Sequence, residues 1–186
     1  IDPASEYKDL CHYLNGDWIN AGGGSNGMMN PLQIRPAPRD DEGEMDKLYQ
    51  DEGNGMSDDG QTHLSEMACH IKTLDIFFNL YLPSLTDMQK ATLKQSIIEL
   101  YNSFHIFWDT DISNLKNEDF PIFSDLYALI EKKAKAEKTR MVYRDLTLLL
   151  NDIANGSDSF LWNGHTTIRT HSRCICLDTH SLQNTN

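Results

Sequence analysis

The 186-residue sequence holds 28 acidic and 16 basic side chains, a formal charge of -12, and 39% hydrophobic residues. A domain of this length buries roughly 70% of the surface its unfolded chain exposes, so a true core is within reach. The acidic balance argues against a surface devoted to nucleic-acid phosphates, where Lys and Arg supply the binding free energy by displacing counterions.

In chain order, Ile1-Asp2-Pro3 reads as the last turn of a strand running into a short helix over Ala4 to Leu14, with Tyr7, Leu10, Cys11 and Leu14 at spacings of three and four. Asn15-Gly16 stops that helix and Asp17 to Asn20 follows as a short strand. Strand, helix and strand in this order make the crossover unit of a parallel sheet. Gly22 to Gly27 reads as a flexible turn, and Asn30 to Pro36 as an extended segment. From Ala37 to Gln61 prolines, glycines and acids leave too few apolar groups to offset chain entropy, which predicts a linker. Nine acidic residues stand between Asp40 and Asp59 against Lys47 alone.

The period then becomes helical. Leu64, Met67, Ile71, Leu74, Phe78 and Tyr81 share one face ahead of Pro83. Ser84 or Thr86 caps a second helix that buries Ile97, Tyr101 and Phe104. Pro121 opens a third, burying Phe123, Leu126 and Ile130, and Arg144 to Ala154 supplies a fourth. Four such helices predict a compact bundle. After Gly156 the period returns to two: Ser159 to Trp162, a turn at Asn163-Gly164, and Thr166 to Ile168 predict a hairpin, and Arg173 to Asp178 a final strand buried on both faces.

Few motifs carry chemistry. Gly22 and Gly27 have phosphate-loop spacing, but Met28 and Met29 stand where the Lys and Ser/Thr must be, so the motif fails. The acidic run lacks the ligand order of a calcium loop. His171, Cys174, Cys176 and His180 can be written as a zinc site, yet the spacing of the two cysteines is that of ordinary strand residues. Four scattered cysteines and the lack of a signal-peptide pattern fit a reducing, cytosolic setting. No run approaches the ~20 apolar residues of a membrane span. Asp2 and Glu6 have the sharper reading. They stand at the carboxyl end of a predicted parallel strand, where open sheets bind ligands, although a helix cap and a favourable dipole contact also explain them.

Ile1-Asp2-Pro3-Ala4-Ser5-Glu6-Tyr7, Gly16-Asp17-Trp18-Ile19, Asn30-Pro31-Leu32, Ser159 to Thr167, Cys176-Leu177-Asp178 and Leu182-Gln183-Asn184 together resemble the VirB-type and TraC-type motor ATPases of conjugation and type IV secretion. The resemblance implies an α/β fold, a partial RecA-like P-loop NTPase sheet with an inserted all-α bundle. Its divisions would be 1–36 for the first sheet segment, 37–61 for the acidic linker, 62–155 for the insertion, and 156–186 for the returning hairpin and strand. It implies an internal stretch between Walker A and Walker B, with Asp2 and Glu6 near the nucleotide site and no catalytic residue or metal ligand of its own. ATP and Mg2+ belong to the parent protein. Its implied partners are other secretion-channel components, further copies in a hexamer and a DNA substrate, on the inner face of the cell membrane. A stand-alone helical interaction module, with a groove beside the Leu64 to Tyr81 helix, and a small zinc protein are the alternatives.

Overall fold

The computed structural model describes residues 1, 4–21, 27–35, 65–136, 141–168 and 174–180. Helix α1 (Lys8–Tyr13) leads into strand β1 (Asp17–Asn20). Helices α2 (Glu66–Tyr81), α3 (Asp87–Ser103), α4 (Phe123–Ala136), α5 (Met141–Leu149), α6 (Asn151–Asn155) and α7 (Ser159–Trp162) follow, and strand β2 (Ile175–Asp178) closes the order. Asp2 and the predicted linker 37–61 lie outside the described residues. Ile1 belongs to no strand and is largely exposed, so the opening is helix then strand.

The helical unit has local reasons for its ends. Ser65 accepts a hydrogen bond from the Ala68 amide at the start of α2. Thr86, rather than Ser84, starts α3 through a capping box with Gln89. Ahead of α4, the Asp125 carboxylate accepts the Ile122 amide at 2.9 Å. Helices α5 and α6 form the predicted fourth helix in two pieces, nearly continuous through the Leu150 amide to the Leu146 carbonyl. The core joins Met67, Ile71, Leu74 and Phe78 to Ile97, Tyr101, Phe123, Leu126, Ile130, Leu146 and Ile153.

Residues 31–33 turn where an extended segment was expected, with Asn30 Oδ1 accepting the Leu32 amide and its Nδ2 donating to the Pro121 carbonyl. That turn drives Leu32 and Ile34 into the helical core. Tyr101 locks it there, donating its hydroxyl to the Leu32 carbonyl at 2.6 Å.

The predicted hairpin after Gly156 does not form. Ser159 to Trp162 is a helical turn, with Trp162 edge-on to Phe77 and Asp158 accepting the Tyr81 hydroxyl at 2.7 Å. Asn163 is consumed by other bonds: it accepts the Ser124 amide and donates to the Ala154 carbonyl. Residues 166–167 turn instead to the 28–30 segment: the Asn30 amide donates to Thr166 Oγ1 and the Thr167 amide donates to the Met28 carbonyl.

Strands β1 and β2 pair in parallel, Asp17 with Ile175 through Asn20 with Asp178. The final strand is therefore real and parallel. It is only partly covered, because Ile175 remains 46% exposed in a sheet of two described strands.

Candidate functional site at the carboxyl ends of the strands

The parallel register brings Asn20 and Asp178 to the same end of the strand pair. The Ala21 amide continues the ladder by donating to the Asp178 carbonyl at 2.8 Å. The Asp178 side chain is 4% exposed and accepts two hydrogen bonds, from Ser5 Oγ at 2.8 Å and from the His180 amide at 2.9 Å. A buried carboxylate held by a hydroxyl and an amide is a fixed acceptor, since each bond satisfies part of its lost hydration. Ser5 adopts φ of 56°, a left-handed conformation that costs a serine about 1 kcal/mol. The bond to Asp178 offsets that cost and fixes the turn.

Glu6 therefore sits one residue from a tethered serine and is exposed. The Ser5 to Asp178 tether was not read from the sequence. Its signal was present, since Asp178 ends an apolar strand and Ser5 stands beside Glu6, but neither residue reveals a partner 173 positions away. Lys8, the first residue of α1, lies over the Trp18 ring at 4.6 Å. The Asp178 carboxylate and the Ser5 hydroxyl are committed to each other and the sequence supplies no phosphate-loop Lys, so these residues do not by themselves fit ATP and Mg2+.

Of the four residues of the zinc reading, Cys174, Cys176 and His180 are described. Cys174 precedes β2, Cys176 lies within it, His180 follows it, and His171 lies outside the described residues. Among the described residues no group of three or more His, Cys, Asp or Glu is arranged to hold a metal ion. Cys174 instead meets Cys11 of α1. On the helical unit, a cleft of about 280 Å³ between α2 and α3 is lined by Phe78, Leu85, Leu93 and Ile97 with Lys90 at its edge. His70, facing Tyr101 edge-on, has its pKa lowered to about 4 by burial, opposed by its hydrogen bond to the Pro31 carbonyl and assisted by the Arg35 charge. Among the described residues no helix is long and apolar enough to cross a membrane.

A helical unit entered from one strand and left into its parallel neighbour, with polar groups tethered at the strand ends, defines a mostly helical protein built onto a parallel α/β element. No protein-family model matches the sequence, and no curated protein matches it. Among solved structures it is similar to VirB4 of Thermoanaerobacter pseudethanolicus, with 38% identity and a TM-score of 0.80 over 100% of this chain. The chain is a segment of VirB4 type. It spans 43% of the length of that VirB4 chain.

Proposed function

We propose that this chain forms the part of a type IV secretion motor ATPase in which a RecA-like sheet is interrupted by an all-α insertion. Residues 1–36 and 156–186 are the sheet portions, 37–61 the acidic linker and 62–155 the insertion. The reading is supported chiefly by one observation: the adjacent parallel strands β1 and β2 bracket the whole helical unit. Asp2 and Glu6 then border the nucleotide site of the full motor. In the full motor, ATP would supply the phosphoanhydride and Mg2+ the charge that make hydrolysis possible there. The parts that grip phosphate belong to other regions of that protein. In the motor, hydrolysis drives channel assembly and transfer of DNA or protein by a hexamer, working with other channel components in the cytoplasm against the inner face of the membrane.

Within this chain, Asp178 holds Ser5, Ser5 sets the direction of the backbone into α1, and Glu6 is thereby presented beyond the strand ends. Phosphoryl transfer depends on positioning and charge stabilisation, so a residue that orients a site can affect rate without touching phosphorus. The test is ATP hydrolysis by a full VirB4-type motor carrying this segment. Glu6→Gln is expected to lower kcat by roughly tenfold or more while leaving the fold intact; unchanged kcat and KM would remove Glu6 from the site. The 186-residue chain alone is expected to show no turnover above background. Turnover abolished by Glu6→Gln in the isolated chain would overturn that expectation.

A further inference from the structure

Cys11 meets Cys174 and Cys176 from a distant part of the sequence. All four cysteines are thiols. Cys11, on the inner face of α1, is buried, and its side chain is in hydrogen-bond contact with that of Cys174 and with the backbone of Cys176. The packing is set by Gly16. A Cβ added there would lie 2.8 Å from both Cys11 Sγ and the Cys174 carbonyl oxygen, and that oxygen accepts the Asp17 amide at 2.9 Å. The strand ladder thus holds the Cys174 backbone against the glycine that lets Cys11 approach. No side chain fits between helix and strand at this point.

The geometry points to Cys11 and Cys174 as a disulfide-forming pair, a reversible oxidation site that fastens α1 to the start of β2. The oxidant is a low-molecular-weight disulfide of the glutathione class, RSSR. Cys174, only partly buried, attacks one sulfur of RSSR as the thiolate; the S–S bond of RSSR breaks, RS⁻ leaves, and a mixed disulfide forms on Cys174. Cys11 then attacks the Cys174 sulfur, the mixed S–S bond breaks and a second RS⁻ leaves. The two protons released by the cysteines end on the two RS⁻, so two protein thiols are oxidised and RSSR is reduced to two RSH. Burial first, then the nearby Cys174 and Cys176, raise the Cys11 pKa, which suits it to the second, intramolecular attack rather than the first. In a reducing compartment such a bond forms only transiently, the pattern of a redox-responsive pair. It would also fix the Ser5–Glu6 turn through α1. That consequence for the nucleotide site rests on the function proposed above, while the thiol chemistry does not.

The experiment treats the folded 186-residue chain with excess oxidised glutathione and reads intact mass, followed by peptide mapping without reduction. The expected product has lost two hydrogens and joins the Cys11 peptide to the peptide of Cys174 and Cys176. Because those two share a peptide, single variants assign the bond. Cys176→Ser and Cys69→Ser should still form the link, and Cys174→Ser and Cys11→Ala should lose it. Circular dichroism of each variant checks that the helical unit is intact. Amide exchange across residues 8–13 should slow by about tenfold or more in the oxidised chain. A stable glutathione adduct without the link, a link that survives Cys174→Ser, or loss of the link in folded Cys176→Ser would each overturn the pairing. ATP turnover plays no part in this readout, so failure here and failure of the motor reading are separate results.

Discussion

Asp178 accepts hydrogen bonds that the sequence does not announce, and its removal should be felt in two places. Asp178→Ala leaves Ser5 Oγ and the His180 amide without their acceptor. A loss of about 1–3 kcal/mol is expected, measured by urea unfolding, together with faster amide exchange over residues 5–11. His70 gives a pH signature. Its pKa falls from 6.5 to about 4 on folding, so between those values the unfolded chain binds the proton and the folded chain does not. Stability from this group is complete above pH 6.5 and declines as pH falls toward 4, by roughly 3 kcal/mol across the window. Urea midpoints from pH 7.5 to 4.5 should therefore fall less steeply in His70→Gln than in the parent. An equal slope would show that other groups dominate. At this scale the sequence reading singled out Asp2 and Glu6; Asp2 lies outside the described residues, and Glu6 follows the serine tethered to Asp178. That reading could not show Asp178 with Ser5, or Cys11 with Cys174, because those contacts depend on how distant segments register.

Helix ends were legible where a local code exists. Thr86 and Gln89 are three residues apart and form the capping box, and the apolar spacing located α2 to α6 to within a few residues. Thr86→Ala should cost about 1 kcal/mol in urea unfolding, while Ser84→Ala should leave the midpoint nearly unchanged. The failed hairpin has an equally specific cause. An Asn-Gly hairpin turn needs left-handed backbone at the Asn, and Asn163 sits at φ -95° with its side chain bound to Ser124 and the Ala154 carbonyl. Asn163→Ala should thus destabilise the chain by about 1–3 kcal/mol, well above a turn residue on the surface, as read from the thermal midpoint and the helical signal. Alternation of two in Ser159 to Trp162 was too short to separate a strand from one helical turn that docks an aromatic ring on Phe77.

Across the whole molecule the two portions are unequally finished. The helical unit closes over a continuous core, whereas Tyr7, Leu10, Tyr13 and Leu14 of the α1 region are all more than half exposed, Tyr13 at 85%. Parallel sheets are ordinarily covered on both faces, and an apolar face of this kind promotes association. The isolated chain should self-associate with rising concentration in sedimentation velocity. Tyr13→Lys with Leu14→Lys should shift it toward monomer without moving the urea midpoint; an unchanged distribution would clear this face of any part in association. The order of elements was legible here, sheet then helices then sheet, because periodicity changes along the chain. The uncovered face was not, since amphipathic spacing cannot tell how many neighbours an element will have.

Pairing Asp17 with Ile175 joins strands on opposite sides of the helical unit. Closing a flexible loop of that length costs about 4 kcal/mol in chain entropy, more than four residue pairs of parallel ladder can readily supply. The contacts of α2 through α7 are nearer in sequence and form at less cost, which favours their folding first. On that order, the helical core is expected to bring β1 and β2 close before they pair. Strand pairing is then a late event, and its appearance in a refolding trace is a clock for completion of the helices.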